Sequence, residues 1–236
     1  KGGDFILDID VLPNRGPDCF SHWGIAREIA ALTKSKLKQK KEKLIEDKSR
    51  KTKDFIKVEI NNKATCPRYT ARIVTDVKVA PSPKWIKERL LSCGLRPINN
   101  IVDIANYVML ETGQPLHVFD YEKLEGQKIV VRFAKKGERI TTLDGEKYSL
   151  AKDILVIADS KKPQAIAGIK GGTGAEINEN TKIVLIESAN FDPRVIRSGS
   201  QKLGLKTDAS LRFEHSIDPN LTQVALNRAA ALLQKI

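Results

Sequence analysis

The alternation of apolar and polar residues changes its period several times along the chain. Phe5, Leu7, Ile9 and Val11 alternate with Ile6, Asp8 and Asp10, which predicts a strand. Pro13–Asp18 reads as a turn, and Asp18 or Ser21 is placed to cap a helix whose apolar side is Ile25, Ile29 and Leu32. Beyond an apolar-poor stretch over 34–57, strands are predicted at 56–60 and 69–74. Ser82-Pro83 offers a cap and a first-turn proline for a helix ending at Gly94. Asn99 or Asn100 starts a second helix, through Val108 and Leu110, that Gly113 stops. From 128 onward the pattern is that of strands, at 128–133, 153–158, 164–169 and 182–188. Between the first two, Asp144-Gly145 suits a tight hairpin turn. Asp192-Pro193 caps a helix that ends before Gly204. A last helix begins at Asp218-Pro219, with Leu221, Ala225, Ala229, Leu232 and Leu233 on one face. There is neither a clean βαβ alternation nor an internal repeat. The predicted class is α+β, with mixed and antiparallel strands and flanking helices.

Charge adds a candidate partner. Lys and Arg number 41 against 29 Asp and Glu, a net charge of +12 that points to nucleic acid or another polyanion. The excess is uneven: residues 34–57 hold 11 basic and 4 acidic groups, while 1–33 are net acidic. That middle stretch reads as a linker or solvated edge, with an RNA-contacting arm as the alternative. A length of 236 residues with 41% hydrophobic and 30% charged residues suits one large domain or two modest ones and excludes wholesale disorder. No run of about 18 apolar residues occurs, so no membrane-spanning helix is expected. Cys19, Cys66 and Cys93 lie far apart with no C-x-x-C pair, against a structural zinc or a disulfide framework and for a reducing cytoplasm. The opening Lys1-Gly-Gly-Asp lacks both Met and an apolar leader, so the chain is expected to begin inside a longer protein.

Local motifs give little chemistry on their own. Gly168-Ile-Lys-Gly-Gly-Thr-Gly174 lacks the Walker spacing and a following helix, and reads as a tight bend with close backbone approach. No G-x-S-x-G elbow accompanies His22, His117 or His215. Glu187 closes the apolar run Ile183-Val-Leu-Ile-Glu. It is either the wet end of a strand or a buried carboxyl that needs a partner or a raised pKa.

Longer motifs carry a resemblance. Arg96-Pro-Ile-Asn-Asn-Ile-Val-Asp-Ile-Ala-Asn-Tyr-Val-Met-Leu-Glu-Thr-Gly-Gln-Pro-Leu-His-Val-Phe-Asp120 closely resembles the signature of the bacterial phenylalanyl-tRNA synthetase β subunit. So do Thr142-Leu-Asp-Gly145, Ala167-Gly-Ile-Lys-Gly-Gly172 and Leu185-Ile-Glu-Ser-Ala-Asn-Phe-Asp-Pro193. The likeness ends with Leu203-Gly-Leu-Lys-Thr-Asp-Ala-Ser-Leu-Arg-Phe-Glu214 and Ile217-Asp-Pro219, and begins at Leu7-Asp-Ile-Asp-Val-Leu-Pro-Asn-Arg and Gly24-Ile-Ala-Arg-Glu28. Nearly the whole chain is covered apart from the basic stretch.

The resemblance implies the layered editing-domain fold of that subunit. It places the end of a preceding domain at 1–33, a linker at 34–57, the tRNA-editing domain at 58–215 and a helix leading into the next domain at 216–236. The implied activity is hydrolysis of tyrosine wrongly esterified to the phenylalanine tRNA. By motif, His117 contacts the ester end or orients water and Glu187 accepts a hydrogen bond from the tyrosine hydroxyl. Thr207 and Ala209 line the pocket, while Gly171 and Gly172 approach the substrate through their backbone. No metal or cofactor is expected in this segment; ATP and Mg belong to the whole synthetase. The implied partners are the phenylalanine tRNA and the α subunit, in a heterotetramer of two α and two β chains. A non-catalytic tRNA-binding or scaffold module is the alternative. Pro17, Thr112, Lys170 and His215-Ser216 depart from the family pattern, all outside the named pocket residues.

An apolar phenylalanine pocket rejects tyrosine poorly, by ~10²-fold, because an added hydroxyl is weakly excluded. A second site holding a hydroxyl acceptor selects in the opposite sense. On this reading, neutralising the lysines of 34–57 is expected to flatten the salt dependence of tRNA binding and leave tyrosine selectivity intact, as measured by binding titrations at several salt concentrations.

Overall fold

A computed structural model describes residues 5–38 and 43–236. After a 3-10 turn at Pro13–Arg15, short α1 (Gly16–Cys19) leads into α2 (His22–Leu32), which Ser21 caps by accepting the Gly24 N–H at 2.9 Å. One-turn α3 (Thr52–Phe55) precedes β1 (Lys57–Ile60) and β2 (Arg68–Val74). The helical pair α4 (Lys84–Ser92) and α5 (Asn100–Thr112) follows. Then come β3 (His117–Asp120), β4 (Lys128–Phe133), β5 (Arg139–Thr141), β6 (Lys147–Ser149) and β7 (Leu155–Ala158). The last strands are β8 (Pro163–Ile166), β9 (Lys170–Gly171) and β10 (Val184–Asn190). Helices α6 (Pro193–Leu203), α7 (Asp208–Phe213) and α8 (Leu221–Leu233) close the chain. The strands form a five-stranded sheet in the order β1-β4-β7-β8-β9, a three-stranded sheet β2-β10-β3 and the hairpin β5-β6. Only β1 and β4 pair in parallel among the described strands, so the class is α+β as the sequence pattern predicts.

β10 lies at the centre of its sheet, antiparallel to both neighbours, and every one of its residues is buried. Successive side chains of a strand point to opposite faces. Val184 and Ile186 therefore join Val118 of β3 in a core completed by Ile86 and Leu90 of α4, Ile101, Ile104 and Val108 of α5, and Ala225, Leu226 and Ala229 of α8. Leu185 and Ala189 face the other way with Phe119, into a core shared with Ile129, Val131, Ile157 and Ile166 of the five-stranded sheet. Glu187 and His117 have the parity of this second set. α8 is bolted to α5 by a bidentate pair, Arg228 Nε and Nη2 donating to Glu111 at 2.6 and 2.8 Å.

Several sequence expectations need correction. Residues 5–11 form no strand, and Phe5, Ile6, Leu7 and Ile9 are exposed. Alternation makes a strand only where a neighbouring backbone takes up its N–H and C=O groups. The apolar side expected for α2 is only partly covered: Ile25 is half-buried, while Ile29 and Leu32 are exposed. Ser82 does not cap α4, whose N-cap is Pro83; its hydroxyl donates instead to Asp103 Oδ2 at 2.5 Å. Helix α5 matches its predicted signals: Asn99 accepts the Ile101 and Val102 N–H groups, and Gly113 closes the helix at φ +87°. In the basic stretch most of residues 43–56 are exposed, as a solvated edge is expected to be, with a few ties to the body. Ile56 is buried, Tyr121 Oη donates to the Phe55 carbonyl at 2.8 Å, and Glu46 pairs with Arg72 at 2.6 Å.

Asp103, fully buried, accepts from both the Ser82 hydroxyl and the Ile98 N–H, the latter at 2.7 Å, and so holds both ends of the α4 segment against α5. Asp103→Ala is expected to lower stability by about 2–3 kcal/mol by stranding those two donors, read as a fall in the urea midpoint.

Candidate functional site

Register brings the first two candidates together. His117 of β3 stands directly opposite Glu187 of β10, both aimed into the layer between the two sheets. There they line a cleft of about 70 Å³ with Pro115, Gly171, Phe191, Ala209 and Phe213 among its walls. A larger groove of about 870 Å³ lies elsewhere, between residues 44–55 and the outer edge of β2 with α8. Its ionic rim is largely self-neutralised by pairs such as Arg72–Glu46 and Arg50–Asp47, whereas the small cleft sets His117 and Glu187 in an apolar lining.

Gly171 is part of the cleft because it has no side chain. A Cβ built there would stand 2.4 Å from His117 Cε1 and 3.0 Å from Leu143 Cδ1, so the imidazole lies directly against the backbone. Ala209 enters from the first turn of α7. Thr207 does not line the cleft. It is the N-cap of α7, accepting the Ser210 N–H at 3.1 Å and donating to the Ile169 carbonyl at 2.9 Å, and it thereby fixes Ala209 relative to the Lys170-Gly171 strand. Gly172 also turns away from the cleft. Its N–H donates to the Gln164 carbonyl at 2.9 Å, and a Cβ there would meet that oxygen at 2.8 Å. The glycine-rich segment is the tight bend with close backbone approach that its sequence suggests. Lys170, the unusual residue between the glycines, pairs with Asp144, and the Leu143 N–H donates to the Gly171 carbonyl at 3.1 Å. These contacts hold the β5–β6 turn against the rim of the cleft.

Electrostatically the cleft is neutral. Glu187 is 5% exposed, and burial raises its pKa from 4.5 to about 8, so it carries a proton at neutral pH. Burial acts oppositely on His117, lowering it from 6.5 to about 4, so the imidazole is uncharged. Neither ring nitrogen of His117 has a hydrogen-bond partner among the described residues, while its ring packs edge-on against Phe119 at 4.4 Å between centroids. Glu187 has one partner, Tyr69, whose Oη donates to Oε2 at 2.9 Å. Cys66 is no nucleophile, because burial first and then the neighbouring Glu187 push its thiol up to about 12.

Sequence reasoning missed Tyr69 and the aromatic walls Phe191 and Phe213. Tyr69 pairs with Ala189 across β2–β10 and is thus the diagonal neighbour of Glu187. Only the strand register reveals that relation, since diagonal pairs at about 7–8 Å are bridged by long side chains.

A family model described as the B3/4 domain matches residues 65–236. The phenylalanine–tRNA ligase β subunits of Clostridium acetobutylicum and Carboxydothermus hydrogenoformans are 50% and 48% identical to this chain over 98% of its length. The chain spans only 29% and 28% of those two relatives. An N-terminal fragment of the phenylalanyl-tRNA synthetase β-subunit from Pyrococcus horikoshii overlays 82% of this chain and 60% of its own at 16% identity and a TM-score of 0.44, too loose a likeness to argue from.

The two cleft groups give a stability signature. Glu187, raised, contributes stability below pH 4.5 that is lost as pH climbs through about 8; His117, depressed, contributes stability above 6.5 that is lost as pH falls through about 4. Between pH 6.5 and 8 only Glu187 acts, and stability is expected to fall by up to ~1.4 kcal/mol per pH unit. Urea midpoints across that window test this: Glu187→Gln is expected to flatten the fall, and a flat wild-type curve contradicts the raised carboxyl.

Proposed function

The chain belongs to the B3/4 domain family, and from that premise we propose that its cleft is an editing site that hydrolyses tyrosine mis-esterified to the phenylalanine tRNA. The observation that carries the reading is the cross-strand pair of His117 and Glu187, two uncharged polar groups sharing one apolar cleft with Gly171 and Ala209. Glu187 offers a tyrosine ring something that a phenylalanine ring cannot use. A phenol placed at this carboxyl gains a hydrogen bond, whereas a plain phenyl ring leaves it unpaired at a cost of about 1–3 kcal/mol.

His117 acts through position. A base with a pKa of about 4 takes up little proton near pH 7, so the imidazole orients water or the ester group by a hydrogen bond. Water adds to the ester carbonyl carbon, the bond from that carbon to the ribose oxygen breaks, and the ribose oxygen takes a proton from solvent. The products are free tyrosine and an uncharged tRNA end. The aminoacyl ester is already activated relative to an amide, and no side-chain nucleophile enters the route. In the longer relatives' setting, the α subunit and the tRNA-binding parts deliver the acceptor end, and the ATP and Mg of aminoacylation act elsewhere. A purely scaffolding module leaves the buried carboxyl and the unpartnered imidazole without a task.

Deacylation of tyrosyl-tRNA, measured with the chain alone and within the full heteromeric enzyme, tests the reading. Glu187→Ala is expected to lower kcat/KM for the tyrosyl ester by about 10- to 100-fold. His117→Ala is expected to lower kcat by ~10²-fold through lost orientation. Ala209→Leu is expected to abolish clearance by filling the cleft. Unchanged clearance in Glu187→Ala contradicts the assignment.

A further inference from the structure

We propose that Tyr69 is the positioning residue that sets the tyrosine selectivity of the cleft, by fixing which oxygen of Glu187 a ligand meets. The inference rests on the editing reading above. Tyr69 Oη donates to Glu187 Oε2 at 2.9 Å, and Glu187 has no other hydrogen-bond partner among the described residues. Oε1 is thus the oxygen left for the cleft. A protonated carboxyl has one O–H donor, and its other oxygen accepts. Tyr69 keeps its own proton, because burial and the adjacent carboxyl raise its pKa well above 10, and in this pair its hydroxyl is the donor and Oε2 the acceptor. With Oε2 occupied as acceptor, the carboxyl proton sits on Oε1, where it is offered to the oxygen of an incoming phenol.

The strand pairing makes this arrangement rigid. Tyr69 is opposite Ala189 and Ala71 is opposite Glu187, so the small Ala71 leaves the diagonal path from Tyr69 to the carboxyl open. On the other face of β2, Thr70 Oγ1 donates to the Ser188 carbonyl at 2.6 Å and pins the same register. The Tyr69 ring itself packs against the core between the sheets. Without the Tyr69 hydroxyl, the carboxyl can rotate and turn either oxygen, as donor or acceptor, to the cleft. A phenol then meets no fixed partner, while a phenyl ring is bound as before.

The test uses two non-hydrolysable ligands, adenosines whose 3′-amine carries tyrosine or phenylalanine through an amide bond, titrated calorimetrically into the chain. The wild type is expected to bind the tyrosyl compound at least 10-fold more tightly. Tyr69→Phe, which keeps the ring, is expected to weaken the tyrosyl compound about 10-fold and leave the phenylalanyl compound unchanged. In a Glu187→Ala background the same substitution is expected to have no effect on either ligand, a non-additivity that holds even if Tyr69→Phe is somewhat less stable. Equal loss for both ligands in Tyr69→Phe shows a merely structural role and overturns the inference, as does retention of full preference. A wild type with no preference overturns the editing reading itself, and the role of Tyr69 with it.

Discussion

β10 is buried along its whole length, and its two faces serve two different cores. A strand in that position has no wet side on which to place a polar residue. Glu187 therefore lies in the interior, on the face that meets the five-stranded sheet, and its direct relief among the described residues is the Tyr69 hydroxyl. An ionised carboxylate there would lack the cation or the several N–H donors that burial of charge demands. The group answers by keeping its proton. Much else in the site follows from the same strand: the antiparallel register places His117 opposite, and the parity of β3 sends that imidazole into the same layer.

The result is a pair whose usual order is inverted, an acid that titrates near 8 beside a base that titrates near 4. Both are mainly neutral near pH 7, and no ion pair forms between them. A neutral cleft is well matched to telling one neutral side chain from another. It offers a phenol hydrogen bonding in a low-dielectric setting, where an unmade bond is costly, without attracting ions or binding water as tightly as a charged site does. The role of Gly171 is steric, since its missing Cβ is what lets the imidazole reach the cleft at all.

Much of the fold was legible because its signals are local. The α5 helix announces itself by Asn99 and Gly113, α6 by Asp192-Pro193 and Gly204, and the β5–β6 hairpin by Asp144-Gly145. Two of the failures are non-local. Residues 5–11 alternate well, but a strand requires a partner that the pattern cannot supply, and Ser82 was drawn from capping by Asp103 of another helix. At the site, motif resemblance names His117, Glu187, Gly171 and Ala209, which share the cleft, together with Thr207 and Gly172, which stand behind it. Motifs record which residues occur together, and a helix cap or a tight turn that shapes a cleft occurs with it as faithfully as its walls do. Tyr69 lies outside those motifs, and only the pairing of β2 with β10 connects it to the acid.

On the proposed editing reading, the charge of the chain and the neutrality of its cleft divide the work of recognition. A net +12, with the densest excess in 34–57, acts at long range on any polyanion and falls with salt. Such a field cannot distinguish two esters that differ by one hydroxyl. That distinction needs a buried group with a fixed lone pair or proton, and fixing it consumes one of the carboxyl's two oxygens in a bond to Tyr69. Separating the two tasks has a physical advantage. Basic side chains beside the cleft would stabilise the ionised form of Glu187 and pull its pKa back down. Lys170, the cation on the cleft wall among the described residues, is instead held by Asp144, which matches its charge at the rim.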